Sequence, residues 1–474
     1  MRQLYIDGSW VDADASAGIE VDSPVTGEVL DTVPAANETD VRRAVDAATR
    51  AFPELAAMTP FERAAVLEEV TEYFVEHEDE IAEGITLEEG KPLRESYDET
   101  EYVIGSSADY GHDAIRLFGD VVPSEHRGRF AYTQREPYGP AAVISPWNFP
   151  LEVPGGSIYG AIASGNPVVF KPAEEAPLTA YHIARAFAQS SLPDGAFNLI
   201  TGAGETGADL VAHEDVRLIA FTGSTAVGQE IGKVAAERSA QVLLEMGGKD
   251  PILVFDDADV DLAARAVVEG SNWNAGQVCC GTERVIATEG VHDDLVEAIV
   301  ERTESLTLGD PRDDDTDVGP MISECIQGKA VEHLDDAVAQ GATVRSGGER
   351  DGLFFEPAVV DGVSPEMTIA VEETFGPVTP VIEVADPEEA IAVANRSQYG
   401  LQAAVFTESL SLAHDTANRL QAGGVFVNET NNYWERLLPF GGYRESGTGG
   451  RYGSKWHLEA MTQVKGVMMN YDHD

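Results

Sequence analysis

Asn274-Ala275-Gly276-Gln277-Val278-Cys279 is the stretch on which the reading of this chain turns. It presents a cysteine on a tight, glycine-containing turn, directly after a run with helical spacing from Asp261 to Trp273. Thirty-four positions upstream (279 − 245 = 34) lies Leu244-Glu245-Met246-Gly247-Gly248-Lys249, a carboxylate followed at once by paired glycines. Glycine lets a neighbouring backbone or a ligand come close. A thiol nucleophile and a carboxylate base in such surroundings point to covalent catalysis followed by hydrolysis.

A chain of 474 residues is too long for one ordinary core, so two or three domains are expected. Its 83 acidic and 31 basic residues give a net charge of −52, which excludes nucleic-acid binding through a basic patch. Blocks such as Asp313-Asp314-Asp315 and Glu76-His77-Glu78-Asp79-Glu80 are spread along the whole length, between apolar runs. A folded acidic surface accounts for them better than a disordered tail does. Such a surface suits multimolar salt, where the Debye length falls to roughly 3 Å or less and self-repulsion is screened. Three cysteines, of which Cys279 and Cys280 are adjacent, form no disulfide framework. No apolar run reaches the roughly 18 residues of a membrane span, and the segment from Met1 has no signal-peptide pattern. A cytoplasmic protein without a membrane or nucleic-acid partner is expected.

From about residue 140 to 245, strand-like runs alternate with helical ones. Ala141–Ile144, Pro167–Phe170, Phe197–Ile200 and Leu218–Phe221 read as strands; Leu178–Gln189, Glu205–Ala212 and Ala226–Glu237 read as helices. That alternation predicts a parallel sheet wrapped by helices. A second such series runs from Pro251 to Asn428, with helices over Asp259–Gly270, Val291–Leu306 and Ile322–Gln340. Asp259 and Asp261 stand where their charges suit a helix start. Thr39 to Leu117 reads as long helices, and Asp120 to Pro137 as short β-like pieces.

Five further motifs bear on chemistry. In Pro146-Trp147-Asn148-Phe149-Pro150, the Asn amide can donate to an oxygen that becomes anionic, although an Asn there also satisfies its own turn. Phe170-Lys171-Pro172-Ala173-Glu174 ends a strand where Lys and Glu can meet a ribose, or simply pair with each other at the surface. In Phe221-Thr222-Gly223-Ser224-Thr225-Ala226-Val227-Gly228, the spacing of Gly223 and Gly228 would let a helix N-terminus approach a pyrophosphate. Glu372-Glu373-Thr374-Phe375-Gly376-Pro377 would by itself be an acidic turn before a strand, and Pro439 to Gly447 forms the last motif. The loop Asp310-Pro311-Arg312-Asp313-Asp314-Asp315 lacks the Gly and terminal Glu of an EF-hand, and the histidines show no ligand spacing, so no metal is expected.

Taken in order, these motifs resemble the aldehyde dehydrogenase superfamily, and the resemblance runs from Gly8-Ser9-Trp10 to Met461-Thr462-Gln463. It implies an α/β fold of two doubly wound domains: a Rossmann-like cofactor domain (1–117 and 138–247) and a catalytic domain (248–447). A β oligomerisation arm (118–137 and 456–474) would complete it, in a homodimer or homotetramer. The resemblance further implies Cys279 as nucleophile, Asn148 as oxyanion donor and Glu245 as the base that activates water. The aldehyde would be oxidised to the acid with NAD, through a cysteine thiohemiacetal and thioester. Cofactor contacts would come from Ser145, Pro146, Trp147, Lys171, Glu174, Gly223, Ser224, Gly228, Glu373 and Phe375. Glu174 would accept the ribose hydroxyls and repel a 2′-phosphate, favouring NAD over NADP.

Cys279 is preferred to Cys280 because the family motif puts its nucleophile two residues after Gln277. Cys280 is then a small buried pocket neighbour, and Cys325 a structural residue on a helix. The presence of Glu245 predicts release of free acid rather than transfer to coenzyme A. One departure stands out: members of the family often carry an Arg-Glu pair where this chain reads Gly449-Gly450-Arg451-Tyr452, so that carboxylate is missing. The substrate pocket is expected around Glu152, Val153, Gly156, Val278, Cys280, Tyr433 and Trp434, which leaves an aromatic and a small aldehyde equally open. A non-catalytic cofactor-binding protein and a cysteine hydrolase without redox chemistry are the competing readings.

Overall fold

The structure is a computed structural model and describes residues 1–471. Two seven-stranded sheets organise it. In the first, Gln241–Glu245, Leu218–Thr222, Ala141–Ile144, Val168–Lys171 and Phe197–Leu199 run parallel in that spatial order. The antiparallel pair Leu4–Ile6 and Ser9–Val11 extends one edge. Strand Ala141–Ile144 comes first of the parallel five yet sits in the middle, so the strand order reverses beside it. A reversal of that kind opens a crevice at the carboxyl ends of the strands.

Both faces of this sheet are covered, and successive side chains take opposite sides. Ala141, Val143, Val168, Phe170, Leu218 and Ala220 share a core with helices Pro60–Glu76, Leu93–Ile115, Glu152–Ser164 and Ala180–Gln189. Ala142, Val169, Ile219 and Phe221 pack on the other side against Glu38–Ala57, Gly204–Ala212 and Thr225–Glu237. Burial on both faces is why these strands read as unbroken apolar runs.

The second sheet repeats the plan. Ala358–Asp361, Val378–Val384, Arg284–Thr288, Pro251–Val254, Gln402–Phe406 and Gly424–Val427 are parallel, with Thr343–Ser346 antiparallel at one edge. Leu253, Ile286 and Ile382 face one core; Ile252, Val254, Val285 and Val381 face the other. Helix Val260–Asn272 begins where the acidic residues predict, with the Asp259 carboxylate accepting from the Leu262 N–H at 3.0 Å. Only Met246–Asp250 separates the last strand of the first sheet in chain order from the first strand of the second.

A third, antiparallel sheet pairs Thr462–Asn470 with Arg129–Pro137 over nine residue pairs and adds Val121–Val122. Residues 456–460 of the expected arm belong instead to helix Ser454–Ala460, so the arm strand starts at Thr462. Residues 472–474 of that arm lie outside the described residues. Cys325 lies on a helix as expected, exposed on the first turn of Glu324–Ala339. No helix among the described residues is long and apolar enough to cross a membrane.

Candidate active site

The short link between the two large sheets carries the site. Glu245 ends strand Gln241–Glu245 and is buried at 3% exposure. Its Oε2 accepts from the Gly442 N–H at 3.0 Å. Burial pushes its carboxyl well above the usual carboxylate range, against the pull of that N–H and of the Arg451 guanidinium; nearby Cys279 adds to the rise. The glycines that follow permit close approach. A side chain on Gly248 would come within 2.7 Å of the Cys279 carbonyl oxygen, and one on Gly247 within 2.5 Å of Glu373 Oε1.

The turn before Cys279 is strained. Asn274, Ala275 and Gly276 have φ of +50°, +52° and +71° in succession, a left-handed run that two of the three residues adopt only at a cost. Side-chain hydrogen bonds hold it. The Asn274 N–H donates to Glu95 Oε2 at 2.9 Å, Gln277 Nε2 donates to the Asn274 carbonyl at 3.0 Å, and Gln277 Oε1 accepts from the Ile322 N–H at 3.0 Å. Cys279 emerges half-buried; Cys280 behind it is buried. The neighbouring Cys279 sulfur and burial push the Cys280 thiol well up, which keeps it protonated.

Asn148 is buried beside this turn, and its Nδ2 donates to the Gln277 carbonyl at 2.8 Å. One of its two N–H groups is therefore engaged by the turn that carries the cysteine. Beneath lies a buried cluster that the sequence reading missed. Lys91 Nζ sits 2.7 Å from both Glu99 Oε2 and the Asn148 carbonyl, and 3.9 Å from the centre of the Phe149 ring. Glu99 Oε1 accepts from the N–H groups of Leu151 and Glu152. The pair thus fixes the loop Asn148–Glu152 from below. The available signal was Gly90-Lys91-Pro92, a lone cation between two helices in a chain poor in cations.

Glu245, Cys279, Thr222 and Met246 line a cavity of about 300 Å³, together with Glu152, Val153, Gly156, Val278, Cys280, Tyr433 and Trp434, all seven expected from the sequence. Tyr452 also lines it, at the position where the family's carboxylate was missing. The Tyr452 hydroxyl lies 3.3 Å from both Thr222 Oγ1 and Ser157 Oγ. Burial, then the Glu245 charge, pushes it up to about 12, so a neutral hydroxyl stands there.

The expected cofactor residues gather at the carboxyl ends of the first sheet. Ser145, Pro146 and Trp147 follow the central strand, Lys171 and Glu174 the next, and Gly223, Ser224 and Gly228 the one on its other side. Lys171 Nζ lies 3.3 Å from Glu174 Oε2. Ser224 caps helix Thr225–Glu237 and is exposed with Ala226 and Val227, so the helix start is open to an anion. Ser145 Oγ is buried without a hydrogen-bond partner, an orphaned polar atom aimed at nothing in the protein. Glu373 Oε1 accepts from the Gly248 N–H at 3.0 Å, and its carboxyl is pushed up to about 7 by burial and by Glu283. Phe375, at φ +59°, meets the Trp147 ring at 90° and 5.6 Å. The buried Lys249–Glu283 pair (2.6 Å) holds this segment, with Glu283 accepting from the N–H groups of Thr374 and Phe375. A capped helix start, a ribose-sized Lys–Glu pair and an orphaned hydroxyl fit a dinucleotide.

At Gly276 a left-handed φ coincides with an added Cβ lying 2.3 Å from the Gly376 backbone. Gly276→Ala is expected to cost about 1–3 kcal/mol in denaturant unfolding and most of the turnover. Gly84, in helix Glu78–Glu89 with open space around it, is the control: Gly84→Ala should stabilise by about 0.5–1 kcal/mol. A Gly276→Ala protein with unchanged stability and rate would refute the strained-turn account.

Comparison with known proteins agrees with this geometry. The profile described as "Aldehyde dehydrogenase family" matches residues 10–467. A betaine aldehyde dehydrogenase from Rhizobium leguminosarum is 38% identical over 476 residues, covering 98% of this chain and 96% of that protein. An NADP(+)-linked succinate-semialdehyde dehydrogenase from Escherichia coli is 36% identical, covering 98% and 97%. The crystal structure of betaine aldehyde dehydrogenase from Staphylococcus aureus in complex with NAD+ superposes with a TM-score of 0.97 at 34% identity, covering 100% of this chain and 96% of that one. The chain therefore belongs to the aldehyde dehydrogenase family, as an NAD(P)-dependent oxidoreductase that converts aldehydes to carboxylic acids.

Proposed function

We propose that Cys279 is the nucleophile, Glu245 the hydrolytic base and Asn148 the oxyanion donor of this enzyme, with NAD as the preferred cofactor. The observation that carries the reading is the single cavity lined by both Cys279 and Glu245, with the Asn148 amide bonded two residues before the cysteine. The Cys279 sulfur adds to the aldehyde carbon, and the new alkoxide takes hydrogen bonds from the second Asn148 N–H and the Cys279 backbone N–H. When bound, the dinucleotide accepts the hydride whose loss turns this adduct into a thioester. Glu245 then takes a proton from water as the water attacks the thioester carbon, and Cys279 leaves as thiolate. The net change consumes one aldehyde, one NAD+ and one water, and yields the carboxylate, NADH and two protons.

Glu174 beside Lys171 supports NAD, because a carboxylate at the ribose repels a 2′-phosphate. The relatives differ in both cofactor and substrate, so likeness alone selects neither. The strand assignments support a cofactor domain of 1–117 and 138–247 and a catalytic domain of 248–447. Exposed Phe130, Val464, Met468 and Met469 on the third sheet support an arm that pairs subunits into a dimer or tetramer.

NADH formation with a panel of small aldehydes is the direct test. Turnover should vanish in Cys279→Ala and survive in Cys280→Ala, and NADP should serve at least about tenfold less well than NAD. Asn148→Ala should lose roughly 10²–10³ in rate. Loss of activity in Cys280→Ala alone would overturn the assignment of the nucleophile.

Burial makes the acid form of Glu245 the favoured one, and a base must be ionised. Hydrolysis of the acyl-enzyme should therefore quicken as pH rises above the ordinary carboxylate range. Single-turnover hydrolysis measured against pH should show that rise, and Glu245→Gln should be slow and flat. An unchanged profile in the variant would remove Glu245 from the role.

The net charge of −52 supports adaptation to high salt. Raising KCl from about 0.1 M to 2 M should raise the thermal unfolding midpoint by several degrees. A midpoint that stays level or falls would contradict it.

A further inference from the structure

Glu245 has one oxygen held and one free. Its Oε2 takes the Gly442 N–H at 3.0 Å, while Oε1 has no donor among the described residues. The free oxygen can take a proton from water, but a carboxylate alone does not fix where that water stands. The segment that carries Tyr452 is tied to the same strand. The Met246 N–H donates to the Ser446 carbonyl at 2.9 Å, and Glu245 itself bridges Gly447. Tyr452 then exchanges backbone hydrogen bonds with Phe440, at 2.7 and 3.1 Å. Its ring lies 4.3 Å from the buried His457 ring, which is bonded in turn to the Tyr110 hydroxyl at 3.0 Å. The Tyr452 ring is therefore fixed, on the wall of the cavity that holds Cys279 and Glu245.

Two other hydroxyls meet it there. Ser157 Oγ donates to the Tyr452 oxygen at 3.3 Å, and Thr222 Oγ1 lies 3.3 Å away on the other side. Thr222 is the register partner of Glu245 on the neighbouring strand, so the hydroxyls run alongside the carboxylate. Both contacts exceed the usual O–H···O distance of roughly 2.7–2.8 Å, which leaves the Tyr452 oxygen able to accept from a further donor. After burial, the groups that most raise the Tyr452 proton affinity are Glu245 and then, behind its two hydroxyl neighbours, Cys279. Tyr102 and Tyr110 also face the cavity but answer to other neighbours: after burial, Glu152 acts most on Tyr102, and Tyr102 on Tyr110. Of these three tyrosines, Tyr452 is the one set beside both reacting groups.

Resting on the reading of Cys279 as nucleophile and Glu245 as hydrolytic base, we propose that the Tyr452 hydroxyl positions the water that clears the thioester. The water gives one hydrogen bond to Glu245 Oε1 and the other to the Tyr452 oxygen, which turns its lone pair to the thioester carbon. As the C–O bond forms, the first proton moves to Glu245, the C–S bond breaks and Cys279 leaves as thiolate. The second proton leaves with the carboxylic acid. Tyr452 keeps its own proton throughout, donated to Thr222 Oγ1. Hydride transfer precedes this step and needs no water, so it does not call on Tyr452.

Stopped-flow measurement on the full-length enzyme with NAD and the fastest aldehyde of the panel separates the two steps. Tyr452→Phe removes one oxygen and keeps the ring against His457 and Phe440. Its first NADH should form at the wild-type rate, within about twofold, and hydrolysis of its acyl-enzyme should slow by about tenfold or more. Turnover should then show a burst of about one NADH per subunit. Hydroxylamine, a stronger nucleophile that needs no positioned base, should clear the variant acyl-enzyme as fast as the wild-type one. Ser157→Ala should slow hydrolysis in the same direction, and it reads the same step should the first variant unfold. Hydrolysis at the wild-type rate in both variants, an equal loss in hydride transfer, or an acyl-enzyme that hydroxylamine does not rescue would overturn the role of Tyr452 while leaving Cys279 and Glu245 in place. Absence of NADH from the wild type with the whole panel would instead sink the reading of Cys279, and this inference with it.

Discussion

The buried pair of Lys91 and Glu99 is the interaction on which the arrangement of the site depends. A lysine ammonium removed from water is tolerable only with a carboxylate and further acceptors around it. Here those acceptors are Glu99 and the carbonyl of Asn148, so neutralising the lysine and placing the Asn148 loop are one event. Glu99 closes the same loop from its other end through two backbone N–H groups. Glu95, one helical turn before Glu99, reaches the turn that carries Cys279. One helix, Leu93–Ile115, thereby positions segments that lie more than a hundred residues apart in the chain.

That rigidity offsets strain elsewhere. Three consecutive left-handed residues before Cys279 and a left-handed Phe375 are conformations that an isolated peptide would avoid. They persist because buried carboxylates hold them: Glu95 for the first, Glu283 backed by Lys249 for the second. The two strained segments also touch, since Gly276 packs directly against Gly376. The Cys279 turn and the Glu373–Phe375 segment are thus set in register with each other by a contact that has no room for a methyl group.

Acidic residues play two separate parts. Most lie on the surface, where their number sets the net charge and solubility. A few are buried at the site, and burial raises the proton affinity of Glu245, Glu373 and Glu95. Glu245 and Glu373 belong to this minority, while Glu95 and Glu99 serve as locks. In sequence all of them look alike.

Much was legible in the sequence. The doubly covered sheets announced themselves through unbroken apolar strands alternating with amphipathic helices, because burial on both faces leaves no place for polar alternation. Cys279, Glu245, Asn148 and the glycine-flanked loops could be singled out because each sits in a local motif that resembles one of the aldehyde dehydrogenase superfamily. Seven residues of the cavity wall were named from the resemblance to that superfamily. Tertiary structure alone decided the rest. Lys91 shows in the sequence only as a cation between two helices, and nothing there tells that it and Glu99 meet a loop some fifty residues away. Tyr452 could be read only as a lost carboxylate until the fold brought its hydroxyl to Thr222 and Ser157. That no lysine or arginine among the described residues lines the cavity is equally invisible in a string of residues. The sequence settles which groups exist and which local turns they make; which charges are buried follows only from packing segments that are distant in sequence around one cavity.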